Sequence, residues 1–388
     1  MEKMSKNIKR YSSNKPKRAL NRWFIILLCS IILIITGFIY IPNYFTKKEL
    51  ANLGYSKNAI SSIYQYNLEK KLIEEEIYSD HLNSAITADN FRIDDLDFYL
   101  KTDKITNQEW FYYDLLQSRD YSKDESLKLM TNLEIFEITP IFVYSHIDDI
   151  SSYITDCKEH RSENSFDSFT LTNSYINYYD LEDSTQVSDP DSITKLVNKN
   201  NYLTEDFTPN LVDASLTYSS KGTQLEAECY DQVILMIEAM KKDGLNAYVG
   251  SGFRPYSYQK ELFDKYVNQM GLEETLKKAA KPGFSEHQTG LAVDMVSGTN
   301  GLTSFKVTGE YEWMLENAAN YGFILRYPEN KTSITGYGYE SWHWRYVGVD
   351  LAKKVKDSNL TYDEYYQIFL LDSDTTNSLI EKNKVDFN

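Results

Sequence analysis

The sequence predicts an α+β fold: a domain of short strands flanked by helices over about residues 195–372, preceded by a mostly helical segment and one N-terminal apolar helix. Three observations carry this. Segments with apolar residues at helical spacing alternate with short strand-like runs, without the regular strand-helix-strand repeat of a parallel sheet. The texture changes near residue 200, because from 49 to about 180 the chain is rich in Tyr, Asp, Ser, Asn and Lys, with Gly54 its one glycine and Pro140 its one proline. Finally, no residue from Trp23 to Thr46 is charged.

The N-terminus sets the expected location. Lys3, Lys6, Lys9, Arg10, Lys15, Lys17, Arg18 and Arg22 stand against a single acid, Glu2, before the run WFIILLCSIILIITGFIYIP. About 20 apolar residues suffice to cross a hydrocarbon core as a helix, and Trp23 and Tyr40 occupy the positions of interfacial anchors. The run exceeds a signal-peptide core and no A-x-A-like cleavage site follows it. The expectation is therefore a basic cytoplasmic tail over 1–22, a single-pass transmembrane helix over 23–42, and the remainder outside the cell. The net charge is −16, and the first 48 residues carry +9, which leaves about −25 beyond them. So acidic a surface excludes nucleic acid as a partner class. Of three cysteines, Cys157 and Cys229 lie beyond the apolar run; a disulfide and two free thiols are equally compatible with the sequence.

Residues 45–180 read as an external helical spacer or accessory region. LGYSKNAI and RDYSKDESL echo each other there, either as two ordinary helix N-caps or as a wall-contacting module. Residues 177–192, NYYDLEDSTQVSDPDS, read as a linker or surface loop. Next, TQLEAECYDQVILMIEAMKKDG sets Leu225, Cys229, Val233, Ile237 and Met240 on one helix face, with Gly244 ending the helix. NAYVG is strand-like. SYQKELFDKYVNQMG is a helix with Ser257 as N-cap, Leu262, Phe263, Tyr266, Val267 and Met270 inside, and Gly271 as its stop. TGEYEWMLENAANYG places Tyr311, Met314, Leu315 and Ala318 on one face, ending at Gly322, and FILRY and WHWRYV read as strands. TYDE at 361–364 is a capping box, and 373–388 reads as a C-terminal tail.

Histidines are scarce, five in all. His81, His146 and His160 sit among polar residues with no ligand pattern around them and read as surface histidines. In GFSEHQTGLAVDM, Gly290 permits a sharp turn after His287, and a following strand could bring Asp294 back beside it. In YESWHWRYVG, Trp342, Trp344 and Tyr346 alternate with Ser341, His343 and Arg345, the period of a strand with one aromatic face, and Glu340 falls just before it. Two histidines and one carboxylate leave a fourth tetrahedral position open, as catalytic zinc sites do. A nearby free carboxylate, Glu340, could then act as general base, and Arg254 in SGFRPYSYQ could meet a developing oxyanion. On spacing alone, His287 and Asp294 could equally be turn partners and His343 a core histidine.

SGFRPYSYQ, KPGFSEHQTGLAVDM and GYGYESWHWRYVG, in that order, resemble the three motifs of the VanY-type D-alanyl-D-alanine carboxypeptidases, zinc peptidases that share the Hedgehog/D,D-peptidase fold. LVNKNNYLTEDFTPNLV resembles the segment that opens their catalytic domain, so the resemblance covers about 195–350. It implies a D,D-carboxypeptidase-like catalytic domain over 195–372 and one Zn2+ per chain on His287, Asp294 and His343. It also implies Glu340 as general base and Arg254 as oxyanion or substrate stabiliser, with Gln259, Ser285, Ser251 and Trp342 toward the substrate and Gly252 shaping the pocket. The implied activity is removal of the terminal D-Ala from peptidoglycan stem peptides or their precursors. A peptidoglycan endopeptidase, a D,D-dipeptidase, or a non-catalytic wall-binding or sensor module would carry the same ligands. Phe284 stands where Ser or Thr is common and Ser341 where Pro is common, which bears on pocket shape. An active-site serine peptidase is disfavoured: SITK at 192–195 has the S-x-x-K form but no partner motif follows in order.

Overall fold

The structure, a computed structural model, describes residues 22–88, 91–102, 106–144, 146–159, 161, 184–298 and 301–387. The basic tail before Arg22, His160 and residues 177–183 of the expected linker lie outside the described residues. The chain divides into two compact units, Met1–Asp103 and Lys104–Asn388.

In the first unit the helix Arg22–Leu53 is followed by Lys57–Gln65, Glu69–Glu74, Asp80–Ala85 and Leu96–Lys101. Leu50, Ala59, Ile63, Leu72 and Leu82 are fully buried and form its core. Ser56 caps the second helix, its Oγ accepting from the Ala59 N–H at 3.2 Å. In the other unit Ser122 forms a capping box with Glu125 at the start of Lys123–Asn132. The two YSK segments are thus both N-caps, each satisfying backbone donors that a first helical turn leaves orphaned.

Among the described residues no helix is long and apolar enough to cross a membrane. This contradicts the expected single-pass helix over 23–42; the membrane as a partner, the cytoplasmic N-terminus and the extracellular placement of the remainder rested on that helix and lose their basis with it. The apolar run belongs to a single helix, Arg22–Leu53, which continues through Lys47, Lys48 and Glu49 and packs Leu50 into the unit's core.

Among its described residues the second unit holds eight short strands: β1 (Thr185–Gln186), β2 (Asn201–Tyr202), β3 (Leu211–Ala214), β4 (Thr223–Glu226), β5 (Ala247–Ser251), β6 (Ala292–Ser297), β7 (Phe323–Leu325) and β8 (His343–Tyr346). Strands β5, β6, β8 and β7, in that spatial order, make one antiparallel sheet. The helix Ala227–Lys242 packs on it with Cys229, Val233, Ile237 and Met240 fully buried, as their spacing predicts, and Leu225 joins them from β4. Helix and sheet share a core with Val249, Val293, Met295, Met314, Phe323, Trp344 and Tyr346.

Several expected boundaries shift. Residues 223–226, read as helix, pair with β3 instead, and the Glu226 carboxylate caps the helix by accepting from the Cys229 N–H. The next helix starts at Tyr256 behind Pro255, one residue before the expected Ser257 cap. Phe263 alone of its predicted inner face is buried, and Leu315 is 43 % exposed. Residues 373–388, expected as a tail, contain the helix Ser373–Asn383, in which Asn383 donates to buried Asp114 at 2.9 Å. Helices between 107 and 159 belong to this unit too, joined to its C-terminal helices by Thr139 Oγ1 donating to buried Glu364 at 2.7 Å. Cys157 and Cys229 are free and buried.

Gly322 ends the turn before β7 at φ +85, and a Cβ there would enter the Tyr346 ring. Gly322→Ala should lower unfolding stability by about 1–3 kcal/mol, the usual range for overpacking, read as a lower midpoint of tryptophan-fluorescence unfolding; an unchanged midpoint would show that the turn relaxes freely.

Candidate metal centre

Sheet register builds the centre. Asp294 lies directly opposite His343 on β8 and opposite Ser251 on β5, so the first two side chains share a face and meet. His287 reaches the same point from the 3-10 turn Glu286–Thr289, which ends at Gly290 in the left-handed region, φ +70. A Cβ at Gly290 would lie 2.9 Å from the Glu226 backbone nitrogen. His287 Nδ1 lies 2.7 Å from the Gly252 carbonyl. A carbonyl only accepts, so Nδ1 carries the proton and Nε2 turns inward. Gly252 allows that approach because a Cβ would stand 2.6 Å from the Gln224 carbonyl.

His287, Asp294 and His343 are the one cluster with metal-ligand geometry found among the described residues, their donor atoms within 4.8 Å of one another. His287 Nε2 lies 3.3 Å from Asp294 Oδ1, and His343 Nδ1 lies 3.4 Å from the same oxygen. Two bonds of about 2.0–2.1 Å opening tetrahedrally place their donor atoms about 3.3 Å apart. Both His287 Nε2 and Asp294 Oδ1 are buried without a hydrogen-bond partner, a costly condition unless another group satisfies them. The donor set therefore fits zinc.

Glu340 Oε2 stands 3.6 Å from His343 Nδ1, with 22 % of its side chain exposed against 2 %, 9 % and 5 % for His287, Asp294 and His343. Its backbone N–H donates to the Tyr327 carbonyl and its carbonyl accepts from the His343 N–H, which fixes the bend before β8. Burial pushes the Glu340 carboxyl up to about 7, with Asp294 and Glu286 adding and His343 and Arg254 opposing. Burial and then the Arg254 charge lower His287. Asp294 is held well below the usual carboxylate range: burial works against this, and His287 and His343 outweigh it. His343 is raised to about 9 despite burial, because the Asp294 and Glu286 carboxylates face its two ring nitrogens and favour the charged imidazole.

The other expected residues surround this point unevenly. Arg254 donates its backbone N–H to the His287 carbonyl at 3.1 Å, and its side-chain Nε is buried without a partner. Ser285 is buried immediately before the His287 turn, and Ser251 ends β5. Trp342 packs partly against the core, while its carbonyl accepts from the Met295 N–H. Gln259 is buried, donating Nε2 to the Ala280 carbonyl at 2.7 Å and leaving Oε1 unpartnered. His81 and His146 stack on Tyr99 and Tyr121. Lys195 turns its Nζ to the Ser192 carbonyl, not to the hydroxyl.

Sequence reasoning passed over Glu286, Arg326, Arg345 and Tyr327. Glu286 Oε1 accepts from Arg326 Nε at 2.8 Å and Arg345 Nη1 at 3.0 Å, and its Oε2 lies 3.2 Å from His343 Nε2. The Tyr327 ring packs at 4.8 Å on His343. No local sequence signal marks Glu286, because its arginine partners lie 40 and 59 residues away.

The sequence profile of the VanY family, described as D-alanyl-D-alanine carboxypeptidase, matches residues 222–349. YodJ of Bacillus subtilis (strain 168), a protein named as a carboxypeptidase, is 38 % identical over 55 % of this chain and 80 % of its own length. The chain belongs to the VanY family. The VanXYC protein of Enterococcus gallinarum, a bifunctional D-Ala-D-Ala dipeptidase and carboxypeptidase, is 34 % identical over 44 % of this chain and 92 % of its own. Among solved structures, the LdcB LD-carboxypeptidase is 37 % identical over 49 % of this chain and 93 % of its own, with a TM-score of 0.46. As a VanY-family member the chain is a zinc hydrolase of the D,D-carboxypeptidase type, and it holds a His-Asp-His cluster that could bind a metal ion.

In the metal-free VanY-family chain the raised His343 value has a definite sign. Its ion pairing stabilises the fold fully below histidine's unfolded value of about 6.5 and is lost as pH rises through about 9. Zinc held at His343 Nδ1 would displace the proton on that nitrogen. Titration at pH 7.5 should release about one proton, and apparent zinc affinity should climb up to about tenfold per pH unit toward pH 9; calorimetry in buffers of differing ionisation enthalpy reads both, and a flat profile would contradict the assignment.

Proposed function

We propose that this chain removes the C-terminal D-Ala from peptidoglycan stem peptides or their precursors, with one zinc held by His287, Asp294 and His343 and with Glu340 as general base. The observation that carries this reading is the pair of buried, unpartnered donors, His287 Nε2 and Asp294 Oδ1, beside a carboxylate that retains solvent access. Zinc, when bound, supplies Lewis acidity toward the scissile carbonyl and makes water a nucleophile near neutral pH.

The chain's own residues do the rest. Glu340 is placed to take the proton of the attacking water and hand it to the leaving D-Ala amine. Burial raises its carboxyl to about 7 in the metal-free chain, and a cation beside it would lower that, so Glu340 would stand as a carboxylate ready to accept the proton at neutral pH. Arg254 brings a fixed positive charge whose Nε has no protein partner, suited to the carbonyl oxygen as negative charge develops on it, or to the terminal carboxylate. Ser251, Ser285, Trp342 and the free Oε1 of Gln259 are proposed to shape the pocket for the terminal residue.

Zinc-loaded protein should release D-Ala from a pentapeptide ending in D-Ala-D-Ala, and Glu340→Ala should lower kcat by about 10²–10⁴-fold, the usual range for loss of a general base, while zinc content is unchanged. Activity surviving that substitution would sink the mechanism. Preferential cleavage of free D-Ala-D-Ala, or of cross-linked wall fragments, would reassign the bond.

A further inference from the structure

Glu286 is one residue from a ligand yet aims away from the metal point. Its side chain has no exposed surface, and both oxygens are engaged. Arg326 and Arg345 occupy Oε1, so two guanidinium groups keep the carboxylate ionised and able only to accept. The atom facing Oε2 at 3.2 Å is His343 Nε2, which must therefore be the donor. An imidazole that gives its Nε2 proton to a carboxylate keeps the Nδ1 lone pair for a metal, and Nδ1 is the nitrogen on the Asp294 and Glu340 side.

The partners of Glu286 are themselves pinned. Arg326 grips Asp363 through Nη1 at 2.6 Å and Nη2 at 3.2 Å, and Asp363 accepts from Asn198 Nδ2 at 2.8 Å. Arg345 Nη2 donates to the carbonyls of Ile193 at 3.0 Å and Lys195 at 2.9 Å. The carboxylate is thus held from two elements remote in sequence, one before β2 and one after β8. We propose that Glu286 is a positioning residue, which fixes the orientation and tautomer of His343 so that it binds zinc through Nδ1 while His287, held by the Gly252 carbonyl, binds through Nε2. Carboxylate partners of this kind raise ligand basicity, and their removal costs about 10–100-fold in metal affinity. The inference rests on the reading that His287, Asp294 and His343 hold the zinc.

The test is long-range proton–nitrogen NMR on the zinc-loaded full chain labelled with 15N-histidine, combined with chelator competition for zinc. Opposite tautomers are expected, with His343 protonated at Nε2 and His287 at Nδ1. Glu286→Gln should accelerate exchange of the His343 Nε2 proton and raise the zinc Kd about 10–100-fold. Because Glu286→Gln leaves two buried arginines short of one partner, the paired variant Glu286→Gln/Arg345→Gln removes one charge of each sign and serves if the single variant does not fold. A folded variant with zinc Kd within twofold of the parent and unchanged Nε2 proton exchange overturns the role, as does wild-type His343 bound through Nε2. If zinc shifts neither histidine, the metal reading itself fails, and this role with it.

Discussion

The antiparallel register between β6 and β8 is the constraint on which the rest depends. Asp294 sits opposite His343 because Ala292 pairs with Arg345 and Val293 with Trp344. Side chains alternate faces along a strand, so a slip of one residue would send Asp294 into the apolar core and Val293 into the polar site. The register is protected from both sides of the sheet. Trp344 and Tyr346 lock one face into the core beneath the helix Ala227–Lys242, while His343 and Arg345 lock the other onto Glu286. Hydrophobic burial and a buried charge network thus specify the same pairing from opposite faces.

Much of the catalytic domain was legible because its signals are local. The buried stripe of the helix Ala227–Lys242, the left-handed glycines at 244, 271 and 322, and the Thr361–Glu364 capping box each depend on residues within a turn or two of one another. The site was legible for a different reason: scarce histidines and alternating aromatics stand out against the composition, although only family resemblance joined the three segments. What could not be read was long-range. Nothing near Glu286 in the sequence points to Arg326, Arg345 or Asp363. Residues 223–226 have a helical apolar phase, yet pairing with β3 overrides it.

The helices between 107 and 159 show the same limit. Their own sequences announce caps and little else. What assigns them to the catalytic unit is contact with its far end: Asn107 donates to the Lys384 carbonyl, Arg119 to that of Gln367, and Tyr144 to that of Ser333. The last of these touches the short helix Thr332–Thr335, five residues before Glu340. The apolar stretch near the N-terminus shows the converse failure, where a local pattern suggested a free-standing span but the helix carrying it runs on into packed structure.

One feature of the centre bears on traffic. The three candidate metal ligands are 2–9 % exposed, and Glu340 keeps 22 % of its side-chain surface. The most accessible of the four side chains is therefore the one proposed to meet the water. A peptide covering Glu340 would also cover the most open approach to the ligands, so bound substrate would slow the loss of a bound metal to a chelator.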